Sequence, residues 1–322
     1  MVSETQITSS KIALLFPGQG AQYGGMGQDF YQSFPTARQT FERASDELRM
    51  DMADLVFMGS DTDIRKTENT QPAILTTSIA IRNVLVEHGF LSDYTCGLSL
   101  GEYSALVHAD SVSFADAVGV VRKRGQFMHD AAQGAGTMGA IVGLDGQAVD
   151  AIVAEASAKG IVSIGNYNTS EQIVITGEKP AVSAALELAK EKGARKTIPL
   201  LVGGPFHSPL LAPAGKLLEE EFARISIVEP RVSFISNVDA VEKSTGEAIR
   251  AALVRQVSSP VLWYQTILEL FTAGVETFVE VGPGNTLSNF VRTIAERIET
   301  DGIRVFELQT IDNLAHVVNS VV

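Results

Sequence analysis

Cysteine is almost missing from this chain. Cys96 is the only one in 322 residues, so no intramolecular disulfide can form and a reducing compartment suits the protein. Only five histidines occur, and no Cys, His or carboxylate cluster has metal-ligand spacing, which leaves a metal site without support. Basic residues are in deficit, 25 Lys and Arg against 38 Asp and Glu, for a formal net charge of −13. A surface of that sign repels polyanions and excludes broad nucleic-acid binding, so any anionic partner needs a local basic patch. Apolar runs of about 18 residues are absent as well, and Met1 to Ser10 is polar. Neither a membrane span nor a signal peptide is expected, and the expected location is the cytoplasm. What remains is a chain with 45% hydrophobic residues, enough to bury one large domain or two unequal ones, without repeats or low-complexity tracts.

Strand-like runs alternate with helical patterns, starting from residues 12–16, an unbroken apolar run of the kind that lies in a parallel sheet covered on both faces. This predicts an α/β fold. The stretch 136–203 reads differently: strand 137–144, helix 147–159, strands 161–167 and 172–176, helix 180–192, strand 197–202. That β-α-β-β-α-β order is the ferredoxin-like split βαβ arrangement, flanked by Gly134 and Gly136 on one side and by Gly203 and Gly204 on the other. The expected division is a large domain of 1–133 and 205–322 with an inserted subdomain of 134–204. Beyond it, strand 231–236, helices 247–257 and 261–273, and strand 277–281 restore the α/β character.

The pentad Gly97-Leu98-Ser99-Leu100-Gly101 follows an expected strand at 94–96 and opens an expected helix at 102–107. Glycines two residues either side let the backbone turn sharply, so the hydroxyl stands at a helix N-terminus, where amides and the helix dipole favour a developing oxyanion. The chemistry this predicts is acyl transfer or hydrolysis; the competing reading is that Ser99 only caps the helix. A serine nucleophile needs a base. His88, His129 and His316 lie in helical patterns among polar neighbours, and His108 follows Ser99 too closely to fold back on it. His207 stands in Gly203-Gly204-Pro205-Phe206-His207-Ser208-Pro209, an irregular loop at the return from the small subdomain, where its imidazole either faces a cleft or bonds nearby backbone. Arg124 lies on a helix over 114–132. At about 100° per residue it shares the row of Ala117, Val121 and Met128, so it borders the apolar face. A cation there must be paired, by a protein acid or by a substrate carboxylate. The glycine-rich run 17–22 follows the first strand but lacks both the dinucleotide fingerprint and the P-loop lysine. It is either a plain turn or a loop whose amides approach a substrate oxygen.

Taken together, the segments 15–22, Gly97-Leu98-Ser99-Leu100-Gly101-Glu102-Tyr103, Arg122-Lys123-Arg124-Gly125 and Gly204-Pro205-Phe206-His207-Ser208 resemble the malonyl-CoA:acyl carrier protein transacylases in order and spacing. Matches at Thr70-Gln71-Pro72, Gly136-Thr137-Met138, Asn166-Tyr167-Asn168, Gln256 and Glu280-Val281-Gly282-Pro283-Gly284 extend the resemblance over essentially the whole chain. It implies an α/β-hydrolase-like large domain with an inserted ferredoxin-like subdomain. It also implies ping-pong transfer of malonyl from malonyl-CoA to the phosphopantetheine thiol of holo acyl carrier protein. By the same resemblance Ser99 is the nucleophile, His207 the base, and the carbonyl of Gln256 the group that orients the imidazole. Amides of Gln19 and Leu100 form the oxyanion hole, and Arg124 binds the malonyl carboxylate. Phe206, Gln71 and Asn168 border the substrate, no cofactor is held permanently, and the enzyme is a monomer. Leu98 departs from the family, which usually places histidine before the nucleophile. Related enzymes on this fold include free-standing polyketide acyltransferases and acyl hydrolases; a non-catalytic carrier-binding module is the further alternative. Lys190, Lys192, Arg195 and Lys196 are the candidate docking patch for an acidic carrier protein.

Overall fold

The computed structural model describes residues 11–132, 134 and 136–322. The polar N-terminus from which no leader is expected, and part of the 133/134 boundary, lie outside the described residues. The strands in chain order are β1 (Lys11–Phe16), β2 (Tyr94–Gly97), β3 (Gly136–Val142), β4 (Val162–Tyr167), β5 (Gln172–Glu178), β6 (Lys196–Leu200), β7 (Ser233–Phe234), β8 (Val275–Val281) and β9 (Arg304–Leu308). They form two sheets. One is parallel, with order β7-β2-β1-β8-β9; the other is antiparallel, with order β4-β5-β3-β6. The protein is therefore α/β, with a parallel five-strand sheet and a separate four-strand antiparallel one.

The unbroken apolar character of β1 has its cause in the two faces of the parallel sheet. Leu14 and Phe16 point into one core and Ala13 and Leu15 into the other, as a period of two requires when helices cover both sides. The small sheet buries one face, with Ile141, Ile164, Ile173 and Ile175, under the Gly146–Ala156 and Lys179–Glu191 helices. Its other face, carrying Met138, Ala140 and Val174, joins the main core. Among the described residues, no helix is long and apolar enough to cross a membrane, and no group of His, Cys, Asp and Glu could hold a metal ion.

Several expected elements are shorter than their sequence pattern; strands 137–144 and 197–202 end at Val142 and Leu200. Strand 231–236 is reduced to Ser233–Phe234, because the next residues close a turn in which the Ser236 amide donates to the Val241 carbonyl at 3.1 Å. Helix 261–273 starts only at Trp263, since Val261 bridges to β4, donating to the Gly165 carbonyl at 2.8 Å and accepting from the Tyr167 amide at 2.9 Å. Helix 147–159 ends as α at Ala156 and finishes in a single 3₁₀ turn.

Candidate active site

Phe16 and Gly97 lie side by side where β1 and β2 end, at the carboxyl edge of the parallel sheet. Open α/β sheets place their ligands at that edge. From Gly97 the chain turns through Ser99 into the Gly101–His108 helix. The turn has no room for side chains at its glycines: a Cβ on Gly97 would lie 2.1 Å from the carbonyl carbon of Gly101, and one on Gly101 would lie 2.1 Å from the Phe16 carbonyl oxygen. Ser99 itself sits at φ 54°, in the left-handed region that L side chains rarely adopt. Such a conformation costs on the order of 1–3 kcal/mol and persists only where the surroundings hold it. Here the Ser99 amide donates to Asn237 Oδ1 at 2.6 Å, and the Ser99 carbonyl accepts from Gln256 Nε2 at 2.7 Å. The hydroxyl does not cap the helix, which has no side-chain cap. Instead Ser99 Oγ lies 2.7 Å from His207 Nε2.

His207 also has a positive φ, 60°. Its Nδ1 is 3.0 Å from the main-chain carbonyl of Gln256. A carbonyl only accepts, so the ring proton belongs on Nδ1 and Nε2 is left to accept from the serine hydroxyl. Burial, and then the charge of Arg124, push His207 down to about 4, so the imidazole is neutral at physiological pH.

Arg124 is 1% exposed on the Phe114–Ala132 helix. Nη1 donates to Gln71 Oε1 at 2.8 Å, and Nη2 donates to Gln256 Oε1 at 2.9 Å and to Ser99 Oγ at 3.0 Å. The guanidinium carbon lies 5.5 Å from the centre of the Tyr103 ring, and Nε has no hydrogen-bond partner among the described residues. Of the two partners open at the sequence level, the protein acid is missing: among the described residues no carboxylate lies within ion-pair distance of Arg124.

A cavity of about 200 Å³ opens onto this cluster, walled by Ser99, His207, Arg124, Gln19, Asn168 and Phe206. Gln71 and Gln256 are absent from that wall; both are buried, one on each terminal nitrogen of the guanidinium. Leu98, where the family usually has histidine, contributes an apolar side chain to the cavity. The main-chain amides of Gln19 and Leu100 take no partner among the described residues. The other histidines stand apart. His88, His129 and His316 are exposed, and His108 is buried, with Nδ1 accepting from Arg82 Nε at 2.9 Å and Nε2 2.8 Å from Ser92 Oγ.

Sequence reasoning assigns no role to two residues at the site, Asn237 and Glu102, although Glu102 lies in the 97–103 segment that carries the family resemblance. Asn237 accepts from the Ser99 amide and donates through Nδ2 to the Gly97 carbonyl at 2.8 Å, bracing the turn from both ends. Glu102 is fully buried, and its carboxyl is pushed up to about 7 by desolvation, against the opposing pull of the Asn237 amide, Gln256 and Arg124. Its signal in the sequence is an ionisable residue directly after Gly101, inside the 97–103 segment. The candidate docking cations are largely engaged: Lys190 pairs with Glu187 and Lys192 with Glu155, each at 2.7 Å, and Arg195 lies 4.0 Å from Glu171.

The acyl transferase domain family matches residues 13–308. The malonyl CoA-acyl carrier protein transacylase of Bacillus subtilis is 44% identical over 305 residues, covering 94% of this chain and 96% of its own length. The crystal structure of the Clostridium perfringens malonyl CoA-acyl carrier protein transacylase superposes with a TM-score of 0.92 at 41% identity, covering 97% of each chain. A malonyl-transacylase solved in complex with its type II polyketide-synthase acyl-carrier protein superposes with a TM-score of 0.93 at 37% identity, over 97% of this chain and 100% of that one. By sequence across nearly its full length and by fold, this chain belongs to the malonyl CoA-acyl carrier protein transacylase family.

Proposed function

We propose that the chain transfers malonyl from malonyl-CoA to the phosphopantetheine thiol of holo acyl carrier protein through an ester on Ser99. The observation that carries this reading is Arg124, a buried cation with no carboxylate in direct ion-pair contact among the described residues, 3.0 Å from the Ser99 hydroxyl. A guanidinium in that position supplies the one thing a malonyl group has and an acetyl group lacks a use for, a carboxylate site. In the loading step His207 Nε2 takes the hydroxyl proton as Oγ attacks the thioester carbonyl. The oxyanion is met by the amides of Gln19 and Leu100, which take no partner among the described residues. Collapse expels the coenzyme A thiolate, which takes the proton back from His207. The carrier's thiol then repeats the sequence in reverse, giving up its proton to His207 and receiving malonyl.

Asn168 and Phe206 border the substrate, while Gln71 and Gln256 act by holding the two terminal nitrogens of Arg124. A second cavity of about 260 Å³, walled by Gln19, Leu98 and Asn168 in common with the first and by the 17–21 loop, gives the pantetheine arm its approach. The division into an α/β-hydrolase-like large domain, 1–133 and 205–322, and a ferredoxin-like subdomain, 134–204, is supported by strand membership. Strands β3 to β6 form their own sheet in the order β4-β5-β3-β6.

The test is intact-protein mass spectrometry after brief incubation with malonyl-CoA or acetyl-CoA, followed by addition of holo acyl carrier protein. The expected result is a malonyl adduct that is lost in Ser99→Ala and moves to the carrier. An adduct lost faster to water than to the carrier would make the protein a hydrolase; no adduct with either thioester would favour a carrier-binding scaffold.

A further inference from the structure

Glu102 is a buried carboxyl at the site to which the transfer chemistry above assigns nothing. It stands in the first turn of the Gly101–His108 helix. Oε1 accepts from the Asn237 amide at 2.7 Å, and Oε2 accepts from Gln256 Nε2. Both partners are donors, so both oxygens must be acceptors, which suits a carboxylate and not an amide.

Gln256 is the junction through which this requirement spreads. Its Nε2 also donates to the Ser99 carbonyl at 2.7 Å, its Oε1 accepts from Arg124 Nη2 at 2.9 Å, and its main-chain carbonyl faces His207 Nδ1 at 3.0 Å. A carboxamide has ends of opposite polarity, and fixing one fixes the other. Were the amide reversed, its NH₂ would meet the guanidinium donor to donor, and its oxygen would face the Ser99 carbonyl and Glu102. Hydrogen bonds to an ionised partner are about twice as strong as neutral ones, so the carboxylate form of Glu102 at one end of the amide and Arg124 at the other outweigh the Ser99 carbonyl in choosing the orientation.

We propose that Glu102 is a positioning residue for malonyl transfer: by requiring an N–H from Gln256, it turns Gln256 Oε1 onto Arg124 and aims the guanidinium at the substrate carboxylate. This rests on the reading of Ser99, His207 and Arg124 given above. It assigns Glu102 an effect on malonyl that acetyl does not share, because acetyl has no carboxylate for Arg124 to meet.

The test compares kcat/KM for malonyl-CoA and acetyl-CoA, normalised to active sites titrated as the Ser99 ester, in E102Q, Q256M and the double variant. E102Q places an NH₂ against a donor at near-identical volume. Malonyl kcat/KM should fall about 10- to 100-fold, the range expected for a lost charge-assisted hydrogen bond, with a smaller fall for acetyl. Q256M should give a comparable loss, and the double variant should be no worse than Q256M by more than about threefold, since residues acting through one another are not additive. A merely structural Glu102 would lower the yield of active sites and leave the malonyl-to-acetyl ratio per site unchanged. That unchanged ratio, or losses that multiply in the double variant, would overturn the inference. If E102Q does not fold, Q256M decides alone: a collapsed ratio supports the proposal and a wild-type ratio overturns it. Ser99→Ala separates the two levels. Persistent malonyl-enzyme in that variant means the site reading itself fails, whereas its loss alongside a wild-type ratio in E102Q removes only the role of Glu102.

Discussion

Replacing Arg124 by methionine keeps the stem of the side chain and removes its charge. In the unloaded protein the change is not one-sided. Gln71 Oε1 and Gln256 Oε1 each lose a donor, at about 1–3 kcal/mol per orphaned group. Removing a buried cation that has no direct ion-pair partner among the described residues offsets much of this, because desolvating such an ion costs several kcal/mol. Unfolding stability should therefore move little. The transfer reaction should move a great deal. At about 4 Å and an effective dielectric of roughly 20, a guanidinium and a carboxylate attract by ~4 kcal/mol. Truncating one side of a buried charge pair costs about 2–5 kcal/mol, which is roughly 30- to 5,000-fold in rate. The expected outcome for Arg124→Met is a loss of malonyl kcat/KM within that range, with acetyl transfer to holo acyl carrier protein unchanged or improved. Because the Arg124 charge helps to hold His207 down, the acid limb of the remaining activity should also shift to higher pH. Malonyl kcat/KM within about threefold of wild type, or parallel losses for both acyl groups, would refute the carboxylate clamp.

The depressed pKa of His207 has a consequence for stability. With the native group at about 4 and the unfolded one near 6.5, only the unfolded chain takes up a proton between those values. Its contribution is complete above pH 6.5 and lost as pH falls toward 4, by roughly 3 kcal/mol over the window. Urea unfolding at pH 7.5 and 4.5 should show wild type losing more than His207→Asn, and equal losses would contradict the buried neutral imidazole. Gly101→Ala should lower the urea midpoint, since its Cβ would meet the Phe16 carbonyl oxygen at 2.1 Å and overpacking costs about 1–3 kcal/mol; an unchanged midpoint would mean that the turn has room to relax. Reversing charge at Arg195 and Lys196 should raise the carrier-protein KM and leave malonyl loading unchanged. If neither step responds, carrier docking lies elsewhere.

Some of this was readable in the chain and some was not, for physical reasons that differ by residue. The strand at 12–16 and the direction of Arg124 follow from local periodicity, because a fully covered strand and an amphipathic helix each write their burial into neighbouring positions. The glycines around Ser99 are legible for a similar reason: the contacts that forbid a Cβ there come from within the turn and from β1. Asn237 is not legible. Its task is set by the Ser99 amide, 138 residues away, and by the Glu102 carboxylate, 135 residues away, and the strand-like pattern before it conceals that the chain leaves the sheet after Phe234. The docking patch shows the converse. Lys190, Lys192, Arg195 and Lys196 cluster in sequence, yet the acids facing Lys192 and Arg195, Glu155 and Glu171, lie 37 and 24 residues earlier in the chain.

The arrangement around Arg124 joins selectivity to the energetics of the fold. A buried cation is normally matched by a protein carboxylate, and here the nearby candidate, Glu102, is turned instead toward Asn237 and Gln256. The guanidinium is held by amide oxygens and a hydroxyl, which fix its direction without neutralising its charge. The native state thus carries an unmet electrostatic demand beside its nucleophile, a local departure from polar satisfaction of the kind that folds tolerate at sites of function. Two left-handed residues, Ser99 and His207, add backbone strain at the same place. An acyl group with a carboxylate relieves the first of these and one without it does not. On the proposed reading, in a protein of net charge −13, this buried guanidinium gives an anionic acyl group a partner that acetyl cannot use, and that interaction becomes the difference between malonyl and acetyl.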